Sequence, residues 1–434
     1  MSAALPLLDL SAPGAPLFLQ RGGAVSRGQF AAAALQLAQR LPQGSHVLNL
    51  CENRHAFSLA FAAAALRGQA ALLPPGSAGT AQQALALHYP GAVRLSEDPA
   101  YSDLPLDLAA AATLDRLPEI PAAQAVAVAF TSGSTGEPQP QVKTFHALWH
   151  VGAALSRRFF DGSGRCSIVA TVPPQHMYGL EASILLPLAG GHSVWSGRPV
   201  FPDDVRAALA EVPAPRVLVT TPVHIRALLA AGVKLPPLHC IVSATAPLPQ
   251  ELADGAEQAY GAPVLEVYGC SEAGTVATRR STGDGLWQPI DGIRLEQRDE
   301  VTVVHGVHLN QPVPLQDLLQ PEGAGFRLLG RSSDMLKVAG KRASLADLTQ
   351  KLLSIPGVID GVVFQPDSAK ASVLQRPAAL VVAPSLSENE ILSALGRLVD
   401  PVFLPRPLRK IDGLPRNPVG KLPHSSLQRL LRVS

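Results

Sequence analysis

Six short apolar runs recur along the first 270 positions, with Ala- and Leu-rich segments between them: VLNLC (47–51), AVAVAF (125–130), SIVATV (167–172), RVLVTT (216–221), HCIVSAT (239–245) and PVLEVYG (263–269). No other feature constrains the fold as much. Runs this short, rich in Val and with little polar alternation, read as strands buried on both faces. Intervening segments such as Ala56–Leu66 are built of helix formers. Strand and helix therefore alternate, and the expected body is α/β with a largely parallel, doubly wound sheet. From about 286 the pattern changes to short alternating runs such as EVTVVHGVHL (300–309), which predicts a small antiparallel sheet or small barrel. Past Arg331 come a lysine-rich turn, a helix over Ser344–Leu353, strands at GVVF (361–364) and ALVVAP (379–384), and a helix near 387–399. At 434 residues the chain exceeds what one core usually supports, so two domains are expected, 1–331 and a smaller α+β domain, 332–434.

Charge separates these two parts. The whole chain carries a net +2, which argues against binding dominated by nucleic-acid phosphates. Residues 1–331 hold 22 Lys/Arg against 26 Asp/Glu, whereas 332–434 hold 14 against 8. A basic terminal module beside a mildly acidic body suggests an anionic partner. The four cysteines, Cys51, Cys166, Cys240 and Cys270, form no CxxC pair and read as reduced thiols that pack. No signal peptide opens the chain, and the apolar stretch FSLAFAAAAL (57–66) is too short to span a bilayer. A cytoplasmic protein with no membrane span is expected.

Four segments carry chemistry. TSGSTGEPQ (131–139) follows the AVAVAF strand and gathers small hydroxyls and glycines whose N–H and O–H groups suit a polyphosphate. It lacks the lysine that ends a GxxxxGK[ST] loop, which disfavours a kinase-type module, and as a bare loop it is equally a flexible turn. EVYGCSEAG (266–274) offers Tyr268 for stacking on a base, Ser271 for a phosphate and Glu272 for a hard cation such as Mg²⁺. Its second glycine lies three residues after Ser271 rather than two, so it is no nucleophile elbow of a serine hydrolase. GRSSDMLKVAGKRASLADL (330–348) concentrates charge at the domain boundary, and LPRNPVGKLPHSSL (414–427) sets Lys421 on a Pro/Gly-bounded loop. HGVH (305–308) suggests a metal site only superficially. On a strand its two histidines point to opposite faces.

In this order and spacing, over about 125–427, these segments resemble the adenylate-forming superfamily of acyl-CoA synthetases, adenylation domains and luciferases. The resemblance implies that Thr131, Ser132, Gly133, Ser134, Thr135 and Gly136 embrace the ATP phosphates. Gln139 stands where the family usually has lysine, and Lys143 is the nearest candidate to replace it. PPQHMYGLE (173–181) matches the family's histidine motif and implies that His176 gates the carboxylate pocket. SATAPL (243–248) places Ala244, Thr245 and Ala246 beside the adenine. Tyr268 with Gly269 would lie against the base, Ser271 on the α-phosphate, Glu272 on Mg²⁺, and Asp317 and Arg331 on the ribose. Ser333 falls at the hinge between the domains, Lys337 and Arg342 act near the nucleotide and acyl group, and Lys421 bridges carboxylate and α-phosphate. A carboxylate attacking phosphorus brings two anions together, so Mg²⁺ and a lysine ammonium lower the barrier. A lysine on a small hinged domain can then leave so that a thiol reaches the acyl-adenylate.

The chain is shorter than the family's larger members, which points to a small or aromatic acid. The pocket is expected from His176, Tyr178, Gly179, Thr221, Pro222, Cys270 and Gly274, with His176, Tyr178 and His224 able to address a ring hydroxyl. DMLKVAGKRASL and GVIDGVVFQPD look most like the short ligases of aryl-polyene and xanthomonadin pigment pathways, which load a hydroxybenzoate-type acid onto an acyl carrier protein. The basic terminal module suits that partner, though coenzyme A is anionic too. A catalytically degenerate nucleotide-binding relative and a luciferase-type oxygenase are the other readings.

Overall fold

The computed structural model describes residues 4–44, 46–74, 85–108, 112–132, 138–299, 301–331, 334–338, 341–366, 376–416, 422 and 424–433, with the backbone alone at 131, 132, 138, 331, 335, 337, 338, 342, 425 and 433. The chain divides into two compact units, Met1–Arg294 with His305–Val313, and Leu295–Val304 with Pro314–Ser434. Arg331, where the sequence pattern changes, lies inside the second unit.

The first unit begins β1 (Pro16–Gln20), β2 (Gly23–Ser26), α1 (Arg27–Arg40), β3 (His46–Asn49), α2 (Arg54–Leu66), β4 (Ala70–Leu73) and β5 (Val93–Leu95). It continues with β6 (Ala125–Ser132), β7 (Pro138–Thr144), α3 (Phe145–Phe160), β8 (Ser167–Ala170) and β9 (Ser193–Trp195). Next come α4 (Pro202–Glu211), β10 (Arg216–Thr220), α5 (Pro222–Ala230), β11 (Cys240–Ser243), α6 (Gln250–Tyr260), β12 (Val264–Cys270), β13 (Gly274–Arg280) and β14 (Gln288–Pro289). All six runs read as strands from the sequence are strands here.

They are distributed over two sheets, one of five strands in the order β5-β3-β4-β6-β7 and one of nine in the order β14-β13-β12-β11-β10-β8-β9-β1-β2. The middle of each is parallel. Antiparallel strands β7, β13, β14 and β2 complete the edges. Helices α4, α5 and α6 cover one face of the larger sheet through Val205, Leu209, Ile225, Leu228, Ala253 and Ala256. The main core holds α1, α2 and α3 with Phe30, Phe57, Phe61 and Phe145 fully buried. Every residue of α2 from Arg54 to Ala65 is buried, because alanine at 60 and 62–65 keeps the helix thin enough to be packed all round. Asn53 starts it by accepting from the His55 amide at 2.9 Å. Truncating one of its aromatics, as in Phe61→Ala, costs about 3–5 kcal/mol.

Strands β15 (Ile293–Arg298), β16 (Val301–Gly306) and β17 (Val313–Pro314) form a three-stranded sheet. The second unit then has two hairpins, β18 (Asp317–Glu322) with β19 (Gly325–Arg331), and β20 (Met335–Val338) with β21 (Lys341–Ser344). The short alternating runs thus form separate small sheets rather than a closed barrel among the described residues. Helix α7 (Leu345–Leu353), strands β22 (Asp360–Phe364) and β23 (Ala378–Val382), α8 (Glu388–Leu395), β24 (Leu408–Lys410) and α9 (His424–Val433) follow. Leu348, Leu352, Val381, Ile391 and Leu395 make its core.

Candidate active site

Parallel strands end together, and the loops beyond their carboxyl ends form a crevice edge. Register aligns Ala170 with Val219, Thr220 with Ser243, and Ser243 with Glu266. The segments after β8, β10 and β11 and at the end of β12 are therefore neighbours. They hold His176, Thr221, Ala244 to Ala246, and Tyr268 to Glu272, so the structure gathers these expected residues on one edge.

His176 is half-buried and opens the helical segment Met177–Leu180, its carbonyl accepting from Leu180 N at 2.7 Å. Gly179 has no room for a side chain, since a Cβ would stand 1.9 Å from the Pro173 carbonyl oxygen. That close approach folds the two prolines against the helix and sets where His176 projects. Beneath it, the fully buried Arg54 donates from Nε to Ser183 Oγ at 3.1 Å, from Nη1 to the Gly197 carbonyl at 2.7 Å, and from Nη2 to the Val172 carbonyl. Burial pulls its guanidinium down to about 9. Gln175 is tied back to the Cys51 carbonyl at 2.5 Å.

Tyr178 is buried and donates its hydroxyl to the Val242 carbonyl at 2.8 Å. Its hydrogen is thus taken by the protein, so Tyr178, expected to address a ring hydroxyl of the acid, has only its oxygen left to accept with. His224 Nδ1 lies 2.9 Å from Thr221 Oγ1 and 3.2 Å from Thr171 Oγ1. Burial, reinforced by Arg198, holds its imidazole below the ordinary histidine range and favours the neutral ring. Thr245 takes φ +81°, a left-handed conformation that costs a threonine on the order of 1–3 kcal/mol and marks a loop held by its surroundings.

At the end of β12, Tyr268 packs against Trp287 with ring centroids 5.6 Å apart and is 9% exposed. Cys270 pairs with Gly274 across a tight turn, leaving Ser271, Glu272 and Ala273 as its tip. Ala273 N–H donates to Cys270 Sγ at 3.4 Å, and burial pushes that thiol up to about 11. Gly269 lies so close to Gly274 that a Cβ would meet its carbonyl oxygen at 2.3 Å. Glu272 is exposed. Two buried charged residues grip this turn. Lys143 on β7 is 6% exposed and donates from Nζ to the Glu272 carbonyl at 2.6 Å. Glu181, 3% exposed, accepts on Oε2 from Thr275 Oγ1 at 2.6 Å and Thr275 N at 3.2 Å. Burial pushes the Glu181 carboxyl up to about 7 against the opposing pull of Thr275 and Lys143.

The other expected residues lie on β6, in the second unit or outside the described residues. Thr131 and Ser132 end β6, while Gly133, Ser134, Thr135, Gly136, Ser333 and Lys421 lie outside the described residues. In the second unit Asp317 stands directly opposite Arg331, and Lys337 opposite Arg342, so each hairpin pairs two residues expected near the nucleotide. His305 lies on β16, whereas His308 lies beyond it and stacks on His150 at 4.9 Å. Among the described residues no three His, Cys, Asp or Glu stand together to hold a metal ion. A lone exposed carboxylate such as Glu272 does fit Mg²⁺, which keeps several waters and takes its other ligands from substrate phosphates. Two open cavities, of about 240 Å³ beside Arg158, Arg279 and Arg280 and about 350 Å³ beside Asp9, Arg165 and His192, share no residue with this edge. No helix among the described residues is long and apolar enough to cross a membrane.

Arg54 and Glu181 escaped the sequence reading. Glu181 is a single charge within the apolar run MYGLEASILLPLAG, a signal that could have exposed it, whereas Arg54 merely opens its run two positions after Glu52.

Residues 75–306 match the family described as AMP-binding enzyme. A 4-coumarate–CoA ligase from Halorhodospira halophila is 28% identical over 304 residues, covering 67% of this chain and 73% of that protein. A second, from Rhodobacter capsulatus, is 29% identical over 236 residues, 54% of this chain and 59% of its own length. In fold, the chain is similar to the o-succinylbenzoate CoA synthetase of Bacillus subtilis solved with its acyl-adenylate, with TM-score 0.81, 20% identity and 96% of each chain covered.

Proposed function

The chain belongs to the AMP-binding enzyme family and is an ATP-dependent, AMP-forming acid–thiol ligase, and we propose that it activates a small aromatic carboxylate and transfers it to coenzyme A. One observation carries the reading: the loops beyond β8, β10, β11 and β12 set His176, the Thr221–His224 pair, the strained Thr245 and exposed Glu272 along a single edge. The names of the relatives support an aromatic acid and coenzyme A.

In the first step a carboxylate oxygen attacks the α-phosphorus of ATP and the bond to pyrophosphate breaks. In the second a thiol sulfur attacks the acyl carbon, its proton goes to solvent and AMP leaves. His176 borders the carboxylate, Glu272 offers an oxygen for the cation, and neutral His224 with Thr221 orients the ring of the acid. Mg²⁺, when bound, neutralises phosphate charge. Asp317 and Arg331 hold the ribose, and Lys421 neutralises the two anions as they meet.

A second acceptor, the free phosphopantetheine thiol of a carrier protein that would receive a hydroxybenzoate-type acid, is favoured by the basic stretch 332–434. Lys341 and Lys351 of that stretch are ion-paired with Asp400 and Asp347, while Arg397, Arg406, Arg429 and Arg432 are exposed. ATP–pyrophosphate exchange with benzoates, cinnamates and short fatty acids tests the first step. The best acid is then offered to coenzyme A and to a carrier protein bearing a free phosphopantetheine arm. Exchange with an aromatic acid and transfer to coenzyme A is expected. Transfer to the carrier alone would replace the acceptor, and no exchange with any acid would leave a degenerate nucleotide-binding protein.

A further inference from the structure

We infer that Lys143 is a positioning residue for Mg²⁺·ATP, gripping the turn that presents Glu272. The inference rests on the proposed role of Glu272 and adds to it a residue that holds the turn in place.

The turn between β12 and β13 is only three residues, Ser271 to Ala273, and its apex carbonyl belongs to Glu272 itself. Lys143 Nζ donates to that oxygen at 2.6 Å from an almost fully buried position. A buried ammonium is expensive to keep, and an apolar residue there would keep β7 folded at lower cost. The contact holds the Glu272 carbonyl, and through that peptide it restrains the Cα from which the side chain departs. Glu181 fixes the other side of the same turn through the backbone and hydroxyl of Thr275. The two anchors come from different directions. Lys143 lies on the return strand of the hairpin that carries the Ser/Thr/Gly loop, and Glu181 lies in the helical run that follows His176. Three expected parts of the site are therefore tied by buried polar contacts.

This geometry also shows what Lys143 does not do. It shares a strand face with Gln139, where the family usually has lysine, but lies four residues on, roughly 13 Å along the strand. Its ammonium serves the Glu272 turn rather than position 139.

The test compares the whole chain with Lys143→Met, Lys143→Arg and Glu181→Gln. The readouts are calorimetric binding of Mg²⁺·ATP without acid, the Mg²⁺ dependence of pyrophosphate exchange, and KM for the acid. Lys143→Met is expected to weaken Mg²⁺·ATP binding and raise the Mg²⁺ requirement roughly 10–100-fold, the range for groups that orient a metal ligand. KM for the acid should stay within about twofold, and Lys143→Arg, which keeps a charged donor, should recover part of the loss. Unchanged nucleotide binding in Lys143→Met, or equal losses for acid and nucleotide, would overturn the inference. If Lys143→Met does not fold, Lys143→Gln takes its place, and a wild-type Mg²⁺ titration in that variant would overturn the inference. A wild-type chain that binds no Mg²⁺·ATP would instead overturn the reading of Glu272.

Discussion

Two hairpins carry residues expected at the nucleotide, and they are held in opposite ways. The β12–β13 turn of the first unit is clamped by buried Lys143 and Glu181. The β18–β19 hairpin of the second unit relies on strand register to set Asp317 against Arg331, and near its turn Arg327 pairs with Glu322 at 2.6 Å with both side chains about half exposed. Buried charges fix a position but are costly to desolvate, whereas half-exposed pairs contribute little and leave geometry to the backbone. In the first unit, then, charge should matter for stability and shape together. In the second, charge should matter for chemistry with little effect on stability.

The largest test of this contrast is Lys421→Ala. Adenylation should fall by at least about 10²–10³-fold, as for other preorganised charges, while transfer from a supplied acyl-adenylate and the urea midpoint stay near wild type. Loss of both half-reactions, or a large fall in stability, would break the contrast. Arg54→Met should do the reverse of a pure rate effect. It leaves the Val172 and Gly197 carbonyls and Ser183 without their donor, a loss of about 2–4 kcal/mol in urea unfolding. The acid KM should rise with it, because Val172 leads into the His176 loop. A variant as stable as wild type would remove Arg54 as an anchor.

A subtler effect should appear in the pH dependence of melting. Burial pulls His55 and His192 down to about 4, so the unfolded chain binds protons below 6.5 that the folded chain refuses. Stability from these groups rises between about pH 4 and 6.5. Glu181 acts with the opposite sign. Folded, it keeps until about 7 a proton that the unfolded chain loses near 4.5, so its contribution falls over that range. Glu181→Gln should therefore steepen the rise in Tm from pH 5 to 6.5. An unchanged slope would mean that Glu181 titrates normally. The smallest effect belongs to the other hairpin, where Arg327→Ala should cost under about 1 kcal/mol and less at high salt. A larger loss would show that the exposed pair does more than the contrast allows.

Much of the α/β architecture was legible because parallel strands are apolar on both faces, and six short runs say so without help from tertiary context. The division into two sheets was not, since a run such as AVAVAF does not state which neighbour it will pair with. His176 and Glu272 are singled out through motif order and Thr221 through the expected pocket, and strand register sets the segments that carry all three side by side. Lys143 was noticed only as a stand-in for the missing loop lysine. Its partner is a backbone carbonyl 129 positions away, and a contact of that kind leaves no mark in residue type. The Tyr178 hydrogen is committed in the same unmarked way, to the Val242 carbonyl on β11.

Gly274 adopts φ +74°, and a Cβ there would meet Glu181 Oε1 at 2.5 Å. The left-handed backbone strains any side chain at 274, while the Glu181 carboxylate ends a flexible side chain and can swing aside. A side chain at 274 would therefore cost backbone strain first and, by displacing the carboxylate, loosen the Glu181 anchor on Thr275.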